Sequence, residues 1–304
     1  MSSSAASTAT YLPARAATWQ RAADYIELTK PKIVLMELVT VAVAAIVANS
    51  GVPDLWLLGH AVIGTVLVAA GASAWNQWLE RRTDALMDRT ADRPLPAARL
   101  SGREVMVAGT LSSVIGTVYL AIAVNVITAT LGAITWLIYV AVYTPLKSRS
   151  PANTAVGAVA GAMPILMGWT AVGGRLNLAA ATLFLIVFLW QFPHFMAIAW
   201  IYRRQYAAAG LKMLPVVDST GLRAGAQALV AALALVPVSL LPSLISSAGP
   251  TYFIWALALS LGQLGCATAF LLRMNEQTAR ALLRASLIYL PALLLWLTAG
   301  PFRS

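Results

Sequence analysis

The sequence predicts an all-α membrane protein, a helix bundle with about nine transmembrane helices around a central cavity. Hydrophobic residues make up 60% of its 304 residues and charged residues only 11%. Long apolar runs recur along the chain, each near the ~20 residues that a helix needs to cross a bilayer. A soluble domain is less apolar and carries more charge.

Nine apolar runs predict the individual spans, at approximately 31–50, 55–75, 105–123, 125–143, 152–173, 178–201, 225–247, 252–272 and 282–299. They place residues 24–304 in a single transmembrane domain. Residues 1–23 are rich in Ala, Ser and Thr and have no acidic residue. We predict a disordered cytoplasmic tail there, and the composition is also compatible with an organelle transit peptide.

Basic residues are distributed asymmetrically over the predicted loops. With a cytoplasmic amino terminus, 19 of the 21 Lys and Arg residues lie on the cytoplasmic side, and only Arg175 and Arg303 lie outside. Such a bias orients membrane proteins with the basic side in the cytoplasm. The same bias accounts for the net charge of +10, because basic cytoplasmic loops contact anionic lipid headgroups. Binding to nucleic acid is not needed to explain it. The single cysteine, Cys266, excludes disulfides and cysteine-based zinc sites.

A ladder of oxygen-bearing side chains begins where the second apolar run ends. Asn76, Glu80, Asp84 and Asp88 recur every fourth residue, a spacing that drifts only about 40° per step on an α-helix and predicts one stripe. Carboxylate and amide oxygens suit magnesium, which completes its shell with water and phosphate oxygens.

Arginines are interleaved with these acids, namely Arg81, Arg82, Arg89 and Arg93. Carboxylates for a metal and guanidinium groups for phosphate oxygens together suit a metal-bridged diphosphate. The alternative is a solvated helix end with intrahelical ion pairs. The position at the inner mouth of an apolar bundle favours a site, because charges there are costly unless they line a cavity.

Several segments carry a family resemblance. The stretch Asn76-x-x-x-Glu80-Arg81-x-x-Asp84 through Arg93-Pro94-Leu95 resembles the first acidic motif of the UbiA-type intramembrane prenyltransferases. Further segments agree, namely Leu28–Lys32, Tyr143–Lys147, Asn153–Trp169, Trp190–Phe195 and Tyr206–Val217. Pro193-His194-Phe195 and Met213-Leu214-Pro215 resemble the branch of the family that farnesylates haem.

The resemblance implies transfer of a farnesyl group from farnesyl diphosphate to a vinyl group of haem B, giving haem O and diphosphate. It implies Mg²⁺ on Asn76, Glu80 and Asp84, with Lys147 and His194 as further catalytic residues. His194 is placed to ligate haem iron or shuttle a proton, or is a hydrogen-bonded core histidine. The substrate-binding residues so implied are Arg81, Asp88, Arg89, Arg93, Tyr143, Arg149 and Arg204.

One segment departs from the family pattern. Tyr202-Arg203-Arg204-Gln205-Tyr206 stands where a second pair of aspartates is usual. Arg204 and Gln205 do not hold magnesium as carboxylates would, although Arg204 can contact diphosphate directly. The implied setting is a bacterial plasma membrane or, alternatively, a mitochondrial inner membrane, with membrane lipid as surroundings and haem A synthase or terminal-oxidase assembly factors as candidate partners.

Two other functions remain open at this point. One keeps the reaction but prenylates an aromatic quinone precursor. The other is a secondary transporter, which is also a multi-helix bundle. Transporters place key ionisable residues near mid-membrane, whereas here Glu37 is the only such carboxylate and the other acids cluster at one rim.

Overall fold

The protein is seen in a computed structural model that describes residues 14–245 and 249–299. All regular structure in that part of the chain is helical. The helices are α1 (Ala14–Leu28), α2 (Pro31–Ala48), α3 (Leu55–Asp84), α4 (Gly102–Ala123), α5 (Val126–Leu137), a π-helical segment (Ile138–Tyr143), α6 (Thr144–Leu146), α7 (Asn153–Ala171), α8 (Leu178–Ile201), α9 (Arg203–Ala208), α10 (Leu214–Val217), α11 (Leu222–Leu240), α12 (Pro242–Ile245), α13 (Gly249–Arg273) and α14 (Glu276–Ala299).

Nine stretches within the described residues are long and apolar enough to cross a membrane, which confirms the predicted all-α membrane bundle. Two of them combine several elements. The fourth runs from Val126 to Leu146 and contains α5, the π-helical segment and α6, and the seventh runs from Leu222 to Ile245. The remaining spans are α2, α3, α4, α7, α8, α13 and most of α14.

The amino-terminal helix α1 changes the prediction for residues 1–23. Residues 14–23 belong to α1 and are therefore not a disordered tail, while residues 1–13 lie outside the described part of the chain. The buried carboxylate of Asp24 accepts a hydrogen bond from Arg99 Nε at 2.7 Å, and Arg21 pairs with Glu104. These contacts hold α1 against the connection between α3 and α4.

Helix α7 lies at the centre of the bundle, in contact with α2, α5 and α8. Helix α8 packs further against α11 and α14, and α14 returns to α2. Small residues permit these close approaches, as is usual between helices in lipid. A β-carbon on Gly168 of α7 would lie 2.1 Å from the carbonyl oxygen of Val41 in α2.

The outer surface is apolar and faces lipid. In α4, large side chains are exposed along one face, including Val107, Leu111, Val114, Val118 and Ile122. The buried residues of the same helix, Val105, Gly109, Gly116 and Leu120, occupy the opposite face. Helix α4 therefore packs one face into the bundle and leaves the opposite, aliphatic face for lipid.

Candidate active site

The predicted metal ligands lie in the last turns of α3, within the helix and not in a loop. Asn76 is 0% exposed and Asp84 is 2% exposed, and the Glu80 side chain is 11% exposed. All three therefore point into the bundle. Helix α3 ends at Asp84, so the ladder does not extend to Asp88, which is exposed beyond the helix end.

Asn76 is held between two neighbouring elements. Its Oδ1 accepts a hydrogen bond from Lys30 Nζ at 2.5 Å, and its Nδ2 donates to Thr144 Oγ1 at 2.9 Å. The Thr144 hydroxyl in turn donates to the carbonyl oxygen of Tyr139 at 2.8 Å. Asn76 therefore connects the start of α2 to the π-helical segment.

Glu80 forms an ion pair with Lys147, with 2.7 Å between Glu80 Oε1 and Lys147 Nζ. The Lys147 ammonium also lies over the ring of Tyr143, 4.6 Å from its centre. Burial opposes the charged form of Lys147, but the Glu80 carboxylate and the neighbouring tyrosines outweigh it and hold the pKa of Lys147 well above its ordinary value. Lys147 is therefore a permanent positive charge.

The π-helical segment positions the two tyrosines beside this ion pair. The rings of Tyr139 and Tyr143 lie 5.3 Å apart, and Gly157 of α7 leaves room for Tyr143, because a β-carbon there would be 2.7 Å from its ring. Single π-helical turns within α-helices are frequent at functional sites. Here the segment places the Tyr143 ring under the Lys147 ammonium and packs Tyr139 against it.

Asp84 is paired with Arg93 from the loop that follows α3, at 2.6 Å between Asp84 Oδ2 and Arg93 Nη1. The loop folds back because the buried Thr90 hydroxyl donates to the carbonyl oxygen of Asp84 at 2.8 Å. Arg93 thus closes the ladder at the end of α3.

A second loop, after α8, meets the first through Arg89 and Asp88. Arg89 Nη2 donates to the Tyr206 hydroxyl at 3.0 Å, and its guanidinium lies over the rings of Tyr202 and Tyr206. Burial raises the pKa of Tyr206 above its usual value, although Arg89 opposes this. Gln205 Nε2 donates to Asp88 Oδ2 at 3.4 Å.

Lys30 is a site residue that the sequence analysis did not select. It precedes Pro31 with a left-handed backbone, φ 55°, and this conformation directs the side chain to Asn76. Burial, together with the positive charges of Arg93 and Lys147, lowers the pKa of Lys30 to about 7. Its position within the Leu28–Lys32 segment was the only available signal.

Three of the predicted substrate-binding arginines make no contact with the cluster in the described structure. Arg81 donates to the carbonyl oxygen of Trp78 at 2.6 Å and covers the Trp78 ring. Arg149 is exposed on a turn, and Arg204 is exposed on α9. Their assignment to the diphosphate therefore stays a prediction.

His194 lies in α8 and is directed to α14. Its ring stacks on Trp190, and its Nδ1 lies 2.9 Å from Ser286 Oγ. Ser286 Oγ donates to the carbonyl oxygen of Leu283 at 2.7 Å. The serine hydroxyl therefore accepts from Nδ1–H, which leaves the Nε2 lone pair of a neutral imidazole free of this contact.

The donor set fits a hard divalent cation. In the described residues no three His, Cys, Asp or Glu side chains come together as a metal site, but Mg²⁺ needs only one or two carboxylates when phosphate and water supply the rest. The ion pairs use one oxygen each of Glu80 and Asp84, and the ladder has no nitrogen or sulfur ligand that would favour a softer metal.

The fold and the site define an intramembrane enzyme of the prenyltransferase class. Buried acids and cations stand at one end of an apolar bundle, where a diphosphate head and an isoprenoid tail each find a suitable environment. The chain belongs to the UbiA prenyltransferase family, whose profile matches residues 38–296.

Sequence relatives share most of the chain. A protoheme IX farnesyltransferase of Solibacter usitatus is 42% identical over 280 residues, covering 88% of this chain and 95% of the relative. A protoheme IX farnesyltransferase of Rhodopirellula baltica is 43% identical over 285 residues, covering 90% and 98%.

Solved structures share the fold at low identity. A digeranylgeranylglyceryl phosphate synthase superposes with a TM-score of 0.78 at 17% identity, covering 94% of this chain and all of the other. A UbiA homolog from Archaeoglobus fulgidus bound to GPP and Mg²⁺ superposes with a TM-score of 0.68, also at 17% identity, covering 91% of this chain and 99% of the other.

Proposed function

We propose that this protein transfers a farnesyl group from farnesyl diphosphate to a vinyl group of haem B, giving haem O and diphosphate. The observation that carries the proposal is the burial of Asn76, Glu80 and Asp84 beside three cationic side chains at the end of an apolar bundle. The relatives named protoheme IX farnesyltransferase support haem as the acceptor.

Asn76, Glu80 and Asp84 would hold Mg²⁺. When bound, the ion supplies positive charge beside the leaving diphosphate. The Mg²⁺ in a structural neighbour from the same family supports this choice of metal.

The charge balance of the cluster supports diphosphate binding. Lys147 and Arg93 balance the two carboxylates, and Lys30 adds positive charge when it is protonated, so a negatively charged magnesium diphosphate complements the cluster. As the allylic C–O bond breaks, its electron pair passes to the diphosphate, and Lys147 and Arg93 stabilise the charge that develops there. The rings of Tyr139 and Tyr143 offer π faces to the allylic cation.

The haem vinyl group then attacks the farnesyl carbon, and water adds to the resulting cation to leave a hydroxyethylfarnesyl side chain. His194 is the residue we assign to the haem, through iron ligation by Nε2 or proton transfer. Its Nδ1 contact with Ser286 supports this assignment, because a second hydrogen bond fixes the tautomer and orientation of a ligating imidazole.

The membrane setting completes the proposal. The distribution of the 21 basic residues supports an amino terminus in the cytoplasm, a diphosphate site at the cytoplasmic face and a multi-pass location in a bacterial plasma membrane. We propose haem A synthase or terminal-oxidase assembly factors as the partner proteins that receive the product.

The test offers purified protein, farnesyl diphosphate and Mg²⁺ together with haem B or an aromatic quinone precursor. We expect diphosphate release and farnesylated haem with haem B alone. A prenylated quinone precursor without modified haem would contradict the acceptor, and absence of diphosphate release would contradict the enzyme assignment.

A further inference from the structure

Glu37 is an intramembrane carboxylate that the reaction described so far does not use. It lies two turns into α2 and shares a helix face with Val34, Val41 and Ala44, all of which are buried. These residues stand three before, four after and seven after Glu37, so the carboxylate lies on the face that packs into the bundle. It does not belong to the lipid-facing side.

Glu37 also has no partner of its own. The side chain makes no ion pair or hydrogen bond with any residue in the described part of the chain. The other acids within the spans are paired: Glu80 with Lys147, Asp84 with Arg93, Glu104 with Arg21 and Glu276 with Arg280. An unpaired acid at membrane depth is costly, and such residues usually serve function.

Two neighbours place Glu37 beside the reaction chamber. Its charge interacts with that of Lys30, which binds Asn76, and with the hydroxyl of Tyr139, whose ring packs on Tyr143. Seven residues of helix separate Lys30 from Glu37, or about 10 Å. The carboxylate therefore lies deeper in the bundle than the diphosphate cluster.

The proposed reaction releases a proton at this depth. The vinyl π electrons form the new C–C bond to the farnesyl carbon, which leaves a cation on the vinyl carbon next to the porphyrin. A water oxygen bonds to that carbon and must lose one proton. Lys147 and Arg93 are charged partners of the buried carboxylates at the diphosphate end and cannot serve as the base, and Lys30 Nζ is engaged there by its hydrogen bond to Asn76.

We propose that Glu37 is the general base that accepts this proton, so that water adds to the cation and a hydroxyl group remains on the product. This inference rests on the proposed function. Without the base, the same cation loses a proton from the adjacent carbon instead, which gives a farnesyl-substituted alkene lighter by one water. Glu37 thus sets the ratio of hydroxylated to dehydrated haem product.

The test compares the full-length protein with its Glu37→Gln variant, using farnesyl diphosphate, haem B and Mg²⁺, and measures diphosphate release and the masses of the haem products. Loss of a general base typically costs a hundredfold or more, so we expect the hydroxylated-to-dehydrated ratio to fall about a hundredfold. Diphosphate release should change little, because ionisation precedes water capture. An unchanged ratio would overturn the proposal.

Thr128→Val is the matched control, because it removes a different buried polar group, the Thr128 hydroxyl bonded to Thr170, far along the chain from Glu37. An equal shift in the product ratio of Thr128→Val would also overturn the proposal, since the effect would then reflect packing.

If Glu37→Gln does not fold, Glu37→Asp should shift the ratio in the same direction by a smaller factor. An unchanged ratio in Glu37→Asp would count against the proposal. Absence of any farnesylated haem from the unchanged protein would instead contradict the proposed function.

Discussion

Each oxygen ligand at the end of α3 has its own cation. Asn76 has Lys30, Glu80 has Lys147 and Asp84 has Arg93. Buried carboxylates need such partners, because taking an unpaired charge out of water is expensive. In the proposed reaction the same cations would face the diphosphate, so the groups that pair with the oxygen ligands would also neutralise the leaving group.

Asp84→Asn should reduce farnesyl transfer at least about a hundredfold, because the amide keeps the shape but loses a negative charge from both the metal site and the Arg93 ion pair. Expression in the membrane should stay near normal. The rate of farnesyl transfer, measured over a range of Mg²⁺ concentrations, checks this. Asp92→Asn is the control, since Asp92 is exposed on the same loop, and unaltered activity of Asp84→Asn would count heavily against the metal assignment.

Lys147→Met should raise the KM for farnesyl diphosphate and lower kcat, because it removes charge from the diphosphate and leaves Glu80 unpaired. We expect a loss in kcat/KM of about a hundredfold, in line with removal of one preorganised charge. Steady-state kinetics checks this. Lys212→Met serves as the comparison, because Lys212 has an exposed side chain and lies next to Lys147 in space, where its backbone N–H donates to the Lys147 carbonyl oxygen. Equal kinetics for the two variants would remove Lys147 from the site.

The four-residue spacing from Asn76 to Asp84 was sufficient to predict the ladder, because a helix converts that spacing into one face. The spacing could not show where the helix ends, so Asp88 was wrongly placed on the stripe. Arg81 was grouped with the phosphate ligands because it is interleaved with the acids and falls in the family motif; its guanidinium lies over the adjacent Trp78 ring, and its assignment to the diphosphate stays a prediction. Lys30 was missed because its role depends on a backbone turn between two elements.

Helix α3 owes its close contact with α4 to glycine. A β-carbon on Gly71 would lie 2.1 Å from Ser113 Oγ and 2.7 Å from the carbonyl oxygen of Gly109. Gly116 of α4 approaches Val68 of α3 in the same way. This close packing fixes the direction of α3, and with it the ladder in its last turns.

Gly71→Ala should lower the free energy of unfolding by about 1–3 kcal/mol, because the added methyl group forces the helices apart. A fall in Tm in detergent measures this. Gly59→Ala lies in the same helix and its β-carbon meets nothing within 4 Å, so it should leave Tm unchanged. If both variants melt alike, the contact between α3 and α4 does not set stability.

Hydropathy alone predicted the nine spans, since lipid imposes a length and an apolar surface on each. It did not predict the π-helical segment at Ile138–Tyr143, because that segment depends on tertiary contacts from Asn76 to Thr144 and from Gly157 to Tyr143. Helix α1 was also missed: its sequence has little apolar periodicity, and its contacts are polar ones with Arg99 and Glu104.

At the scale of the whole molecule, one end of the bundle concentrates charge. The ladder, Lys30, Lys147 and the two loops that carry Arg93 and Arg89 meet at the end of α3 where α2 begins. The nine spans found in residues 14–245 and 249–299 place the two ends of that part of the chain on opposite sides of the membrane. The orientation therefore decides from which side farnesyl diphosphate enters.

Cysteine labelling tests that orientation in intact cells. Cys266 is the only native cysteine, so Cys266→Ser gives a background in which single cysteines report their side. Arg175→Cys, on an exposed turn between α7 and α8, should react with a membrane-impermeant maleimide. Arg103→Cys, exposed at the start of α4, should react only after permeabilisation, because the basic side stays in the cytoplasm. The reverse pattern would put the diphosphate site outside the cell, away from any cytoplasmic supply of substrate.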